Sequence, residues 1–248
     1  MSLLEVRRLT KSFGGVHALR GVSFEVHAGE VVAMIGPNGA GKSTCFDVLG
    51  GQTAPDAGEV RLAGEPLLGQ APPQRLRRGL GRTFQITATF GSMSTAENLG
   101  VALLARERLL WSTRPGARLA LAGEARDLLR RVGIVHLADR TCAELSYGDL
   151  KRVEVAIALA ARPRLLLMDE PTAGMSRGER DELMRLAVDL SRREGVGVLF
   201  TEHDMSVVFA HAQRVLVLHQ GELIADGVPD DVRVNARVRQ VYLGDEDA

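Results

Sequence analysis

The chain has 248 residues, 31 basic and 31 acidic, so its formal net charge is zero; 45% of it is hydrophobic and 25% charged. This is the composition of an ordinary globular protein with enough chain for a sizeable core, and it excludes a disordered or fibrous polymer. Zero net charge and only 4% aromatic residues argue against a polybasic or base-stacking nucleic-acid binder.

The N-terminal stretch MSLLEVRRLTKSFGG has only a two-residue apolar run before Glu5, Arg7 and Arg8, so no signal peptide is expected there. LLEVRRL and HALRGVSFEV alternate as strands do, and VVAMI (31–35) is a continuous apolar run, as a strand buried on both faces would be. Gly36 to Gly41 breaks that pattern, and a helix is expected from about Lys42 to Gly50. GEVRLAG (58–64) reads as another short strand, and the basic run Arg75, Arg77, Arg78, Arg82 as a solvated helix face. From Ser94 to about Val132 the texture turns helical, broken at Pro115-Gly116. A further helix starts near Gly148 and carries Val153, Ile157 and Ala160 at helical spacing. Residues of about 90–160 thus read as a helical insertion in an α/β chain. Strand and helix then alternate again: RLLLM, 177–193, VGVLF, 203–211 and RVLVLH. GELIADG is a hairpin return, and 229–243 is a tail of two short helices. No apolar run reaches the ~18 residues that span a bilayer, so a membrane role is expected to come through a partner. Cys45 and Cys142 lack metal-type spacing, and a reducing compartment is expected.

Gly36-Pro37-Asn38-Gly39-Ala40-Gly41-Lys42-Ser43 matches G-x-x-x-x-G-K-[ST] between a strand and a helix. Glycines let backbone N–H groups wrap a phosphate at a helix N-terminus. Lys42 brings positive charge to the β- and γ-phosphates, the Ser43 hydroxyl is suited to Mg²⁺, and Thr44 completes the phosphate-binding set. LLLMDE (165–170) is an apolar strand ending in two acids, which needs a reason because desolvating charge is costly. Strand alternation separates them. Asp169 is a candidate for Mg²⁺, directly or through water, and Glu170 for general base or positioner of an attacking water.

Leu145-Ser146-Tyr147-Gly148-Asp149 opens the helix near Gly148. With this LSxG element some twenty residues before the acid-ended strand, the sequence resembles the ATP-binding-cassette (ABC) ATPases over nearly its whole length. The resemblance implies one nucleotide-binding domain over 1–248: a P-loop, RecA-like α/β core, an N-terminal antiparallel β subdomain and the inserted helical subdomain. It implies that Ser146 and Gly148 bind the γ-phosphate of ATP held by a second ATP-binding subunit, so that the working unit is a homo- or heterodimer. Gln85 falls at the family's metal- and water-sensing glutamine, His203 at its switch histidine, and Phe13 at the aromatic that stacks on adenine. A core position is the alternative for Phe13.

RTFQ (82–85), the Tyr of LSYG, EPTAGMS (170–176), EHDM (202–205) and VYLG (241–244) look like the ATPases of branched-chain amino acid, urea and amide importers. That likeness implies two transmembrane permease subunits, an extracytoplasmic substrate-binding protein, and a peripheral position on the cytoplasmic face of the inner membrane. It makes Phe90 and Met93 a permease-docking surface, with a core role as the alternative. The expected activity is hydrolysis of Mg²⁺-bound ATP that closes the dimer and drives the permease. A non-transport ABC ATPase, a lipid-export ABC ATPase and a small-molecule P-loop kinase are the other readings. Two positions depart from the pattern. Asp149 stands where Gln or Glu is usual and brings a charge that would repel the incoming γ-phosphate. Arg177 stands where relatives often have Pro, with little consequence expected. Cys45, just inside the phosphate-loop helix, is a candidate reactive thiol or a buried inert one.

Overall fold

The computed structural model describes residues 2–83, 89–109 and 117–243. Along the chain run β1 (Ser2–Phe13), β2 (Val16–His27), β3 (Val31–Ile35), α1 (Lys42–Gly50), β4 (Ala57–Leu62) and β5 (Glu65–Pro66). There follow α2 (Pro72–Arg77), β6 (Leu80–Thr83), α3 (Thr95–Arg106), α4 (Ala117–Arg131), α5 (Tyr147–Ala160) and β7 (Leu165–Asp169). The chain continues with α6 (Arg177–Glu194), β8 (Gly197–Thr201), α7 (Met205–His211), β9 (Arg214–His219), β10 (Glu222–Gly227), α8 (Pro229–Val234) and α9 (Ala236–Leu243). The expected α1 span, the second-half alternation and the two tail helices are all present. The expected Pro115-Gly116 break lies outside the described residues.

Two sheets form. One, ordered β2-β1-β4-β5, is antiparallel; the other is ordered β10-β9-β3-β8-β7-β6. In the second, β9, β3, β8, β7 and β6 are parallel, and β10 returns antiparallel on β9. The parallel strands end on one edge, where ligands of open α/β sheets collect.

The apolar run of β3 has the reason anticipated for it, burial on both faces, and β7 is buried in the same way. Val31, Ala33, Ile35, Leu166 and Met168 pack into a core with α5, α6 and α7. Val32, Met34, Leu165 and Leu167 point the other way, into a core shared with α1 and the antiparallel sheet. Helix α1 is therefore clamped between two sheets, with Cys45, Phe46, Val48 and Leu49 fully buried.

The basic run departs from the solvated face expected of it. Arg77 and Arg78 are exposed, but Arg75 is 3% exposed. Its guanidinium donates to the Val48 and Leu49 carbonyls, the latter at 2.7 Å. Arg82 donates to the Phe46 carbonyl at 3.1 Å. The last turn of a helix leaves carbonyls without partners and carries partial negative charge, so two arginines from the following segment complete α1. In the helical group, Arg106 of α3 makes a bidentate pair with Glu124 of α4, at 2.7 and 2.8 Å, and donates to Ala160 O at the end of α5. One side chain thereby ties three helices together.

Candidate functional site

The phosphate loop leaves β3 through Gly36, at φ 155°. A Cβ there would sit 2.2 Å from the Leu218 carbonyl, and one at Gly41 (φ 105°) would sit 2.4 Å from the Ala18 carbonyl. The neighbouring strands thus admit only glycine at both positions. Gly41 is the N-cap of α1 and supplies no side-chain cap. The first-turn N–H groups are left for an anion, with the helix dipole favouring negative charge. Lys42, 7% exposed, folds back into the loop and donates to Gly36 O at 2.5 Å and Pro37 O at 3.1 Å. Burial holds its ammonium below the ordinary lysine range, while the charges of Glu170 and Asp169 pull the other way. The lysine and the acid pair are therefore within electrostatic reach.

The acid pair is held by the strand next door. Register sets Asp169 beside Thr201 at the ends of β7 and β8. The Thr201 hydroxyl donates to Asp169 Oδ1 at 2.8 Å and accepts from the Glu170 N–H at 3.0 Å. Glu202 Oε1 accepts from the Thr172 N–H at 2.9 Å and the Thr172 hydroxyl at 2.7 Å. His203 Nε2 lies 2.8 Å from Glu170 Oε1. Three consecutive residues, 201 to 203, thus grip 169, 170 and 172. Glu202 is 4% exposed, and burial pushes its carboxyl up against the opposing pull of the Thr172 bonds. Glu170 has φ 46°, a conformation non-glycine residues adopt only where surroundings impose it, and often at functional sites. Arg82 joins from β6, with Nη2 at 3.3 Å from Asp169 Oδ2 and 2.9 Å from Asp47 Oδ1.

Sequence reasoning singled out Asp169, Glu170 and His203, and the structure brings the two acids within electrostatic reach of Lys42, with His203 bonded to Glu170. It missed Thr201, Glu202, Thr172 and Asp47, and read Arg82 as a surface charge. A threonine and an acid just before His203, and a threonine just after Glu170-Pro171, were the available signal. Only strand register shows that these two short segments interlock. Gln85 lies outside the described residues.

Phe13 ends β1 and is 51% exposed, with the Lys11 ammonium 5.1 Å from its ring centroid. It is a surface ring and not the core residue that was its alternative. An open cleft of about 510 Å³ runs along the same strand pair, lined by Thr10, Ser12, His17, Leu19, Arg20 and Asp56. Phe90 is 56% exposed, and its backbone is pinned on both sides by Asn98; Met93 is half-buried. Ser146 is the N-cap of α5, exposed, and accepts from the Asp149 N–H at 3.1 Å. A Cβ on Gly148 would meet Glu179 Oε1 at 2.7 Å. Cys45 is buried, and burial pushes its thiol up to about 12; of its two readings the buried, inert one fits, because only a thiolate attacks.

Among the described residues no group of three or more His, Cys, Asp or Glu is arranged to hold a metal ion by itself. No described helix is long and apolar enough to cross a membrane.

The chain matches two family descriptions, "ABC transporter" over residues 19–173 and "Branched-chain amino acid ATP-binding cassette transporter" over residues 222–248. It is 39% identical to the high-affinity branched-chain amino acid transport ATP-binding protein BraF of Pseudomonas aeruginosa, covering 98% of each chain. The lipopolysaccharide export system ATP-binding protein LptB of Escherichia coli is 35% identical to it, with 99% of each chain covered. A crystal structure of a nucleotide-free ATP-binding cassette from an ABC transporter superposes with a TM-score of 0.87 at 30% identity, over 98% of this chain and 100% of that one.

Proposed function

The chain belongs to the ABC transporter ATPases, as an ATP-binding and ATP-hydrolysing subunit with the RecA-like cassette fold, and we propose that it powers import of branched-chain amino acids or related small polar solutes. It is peripheral to the cytoplasmic face of the inner membrane. The observation that carries the hydrolytic reading is Glu170, within electrostatic reach of Lys42 and hydrogen-bonded through Oε1 to His203 at 2.8 Å.

The backbone of Gly36, Pro37, Asn38, Gly39, Ala40 and Gly41, with Lys42, Ser43 and Thr44, cradles the ATP phosphates. Lys42 exchanges its bonds to Gly36 O and Pro37 O for phosphate oxygens. Phe13, an exposed ring at the strand end, stacks on the adenine. The Ser43 hydroxyl and the Asp169 carboxylate, with Gln85, are hard oxygen donors suited to Mg²⁺, which takes few protein ligands and completes its shell with phosphate and water. When bound, Mg²⁺ neutralises charge developing on the phosphates. Glu170 orients a water in line with the γ-phosphorus and accepts its proton. The new P–O bond forms as the bond to the β-phosphate oxygen breaks, releasing ADP and phosphate. His203 holds the Glu170 carboxylate in place and reads the γ-phosphate. Ser146 and Gly148 face the γ-phosphate of a nucleotide on a second ATP-binding subunit. Phe90 and Met93 belong to the surface that meets the permeases, which receive solute from an extracytoplasmic binding protein.

The likeness to LptB favours a second reading, an ATPase for lipid export. The match of 222–248 to the branched-chain amino acid description supports import. The test is to purify the complex from native membranes. Two permease chains, a second ATP-binding chain and ATPase stimulated by a solute-loaded binding protein are expected. ATPase stimulated by lipid, with exporter subunits, would overturn the import reading.

A further inference from the structure

We propose that Asp149 sets how strongly this chain engages the nucleotide of the facing subunit, by holding the Ser146 hydroxyl that would otherwise donate to phosphate. The inference rests on the composite site proposed above and concerns a residue to which that reading gives no role.

Among the described residues three helices begin with a serine N-cap followed three residues later by an acid, and they serve as controls for one another. At α3, Glu97 reaches back to the Ser94 N–H at 2.8 Å. At α6, Glu179 reaches the Ser176 N–H at 2.9 Å and also takes the Ser176 hydroxyl, at 2.6 Å. Both are capping boxes, in which the long acid satisfies the backbone donor of the cap. At α5 the acid is one methylene shorter. Asp149 Oδ2 takes the Ser146 hydroxyl at 2.8 Å, and the Asp149 N–H donates to the same Ser146 oxygen at 3.1 Å. The serine hydroxyl and one first-turn N–H are thus committed to each other.

A hydroxyl carries one proton, and here it is given to a carboxylate, whose bonds are stronger than those between neutral groups. An incoming phosphate must displace Asp149 before Ser146 can donate to it. This differs from simple repulsion by the Asp149 charge, because it acts only through the Ser146 hydroxyl.

The test measures KM for Mg·ATP and kcat on the complex purified with its permeases. Asp149→Ala is expected to lower KM by about three- to tenfold, the size of one hydrogen bond's net contribution, without lowering kcat. Asp149→Asn keeps an acceptor at the same reach and loses only the charge, so its gain is expected to be clearly smaller. In a Ser146→Ala background, Asp149→Ala is expected to change nothing, which a double-mutant cycle reads directly. An equal gain in Asn and Ala, or a gain that persists without the Ser146 hydroxyl, returns the effect to charge repulsion and overturns the proposal. No change in Asp149→Ala overturns it as well. Ser146→Ala alone, assayed in parallel, separates the two levels. If that variant leaves KM for Mg·ATP and kcat unchanged the composite-site reading fails; if it impairs either while Asp149→Ala is unchanged, only the role of Asp149 fails.

Discussion

At the carboxyl edge of the parallel sheet each acid is gripped by another side chain. Asp169 is held by Thr201 and Arg82, and Glu170 by Thr201 and His203. At the start of α5 the arrangement is open: Ser146 is exposed, Tyr147 is 42% exposed, and Ser146 and Asp149 bond each other. Among the described residues no hydrogen bond joins 145–149 to 36–44 or to 169–170. The contrast teaches how one chain divides the work. The hydrolytic half is organised in advance by strands that are neighbours in the sheet. The signature half, around LSYG, lies at the surface with its serine hydroxyl and one first-turn N–H closed on each other, to be opened by whatever faces it.

The sharpest way to break this contrast is Glu170→Gln. We expect it to cut turnover by at least about a hundredfold, the scale of a lost general base, while nucleotide binding persists. Phosphate release and equilibrium binding measure the two separately, and near-normal turnover would remove Glu170 from the chemistry. Thr201→Val keeps the side-chain shape but removes the hydroxyl that bridges both acids. A fall in kcat of about tenfold is expected, matching about 1.4 kcal/mol for a lost hydrogen bond, with KM for ATP little changed. Should kcat stay at the wild-type value, the strand-to-strand grip is not what organises the site.

The signature half rests on the Arg106 staple, and weakening it probes the rigidity of that support. Arg106→Ala is expected to lower unfolding free energy by about 1 kcal/mol, a value kept small because Glu124 is partly solvated. The Arg106 bonds hold the Glu124 carboxyl at about 2, below its ordinary 4.5. A depressed carboxyl stabilises the fold above its unfolded value and ceases to do so as pH falls through the folded one. Urea denaturation should therefore show the difference between wild type and Arg106→Ala narrowing from pH 4.5 down toward about 2. A constant gap over that window would refute the pairing. The smallest effect is expected at Cys45, beneath the phosphate loop. The native protein should resist thiol labelling with or without Mg·ATP and label only on unfolding, whereas rapid native labelling would mean that α1 opens.

The local motifs were readable because their chemistry is written in adjacent residues. Gly36 to Ser43, the acids ending an apolar run and Ser146 before a helix each declare themselves within a few positions. The arginines were not. Arg75 and Arg82 sit in a run that reads as solvated, and nothing nearby says that the carbonyls of α1, some thirty residues earlier, lack partners. For Glu202 the acid beside His203 was a signal, but nothing local says that it will be buried against Thr172. Phe13 and Cys45 show the same limit from the other side: only the folded structure shows that Phe13 is not a core residue and that Cys45 is one.

By itself the sequence determined the P-loop α/β class, the order of most elements though not β5 or β6, and the candidates for the phosphate loop and acid pair. These follow from periodicity and from glycine, lysine and carboxylate chemistry acting over short stretches. Tertiary structure decided which side chains hold those groups in place. The register of β7 against β8 sets Asp169 beside Thr201 across some thirty residues of chain. That pairing depends on both faces of the sheet being buried at once, a condition on the whole molecule that no single segment encodes.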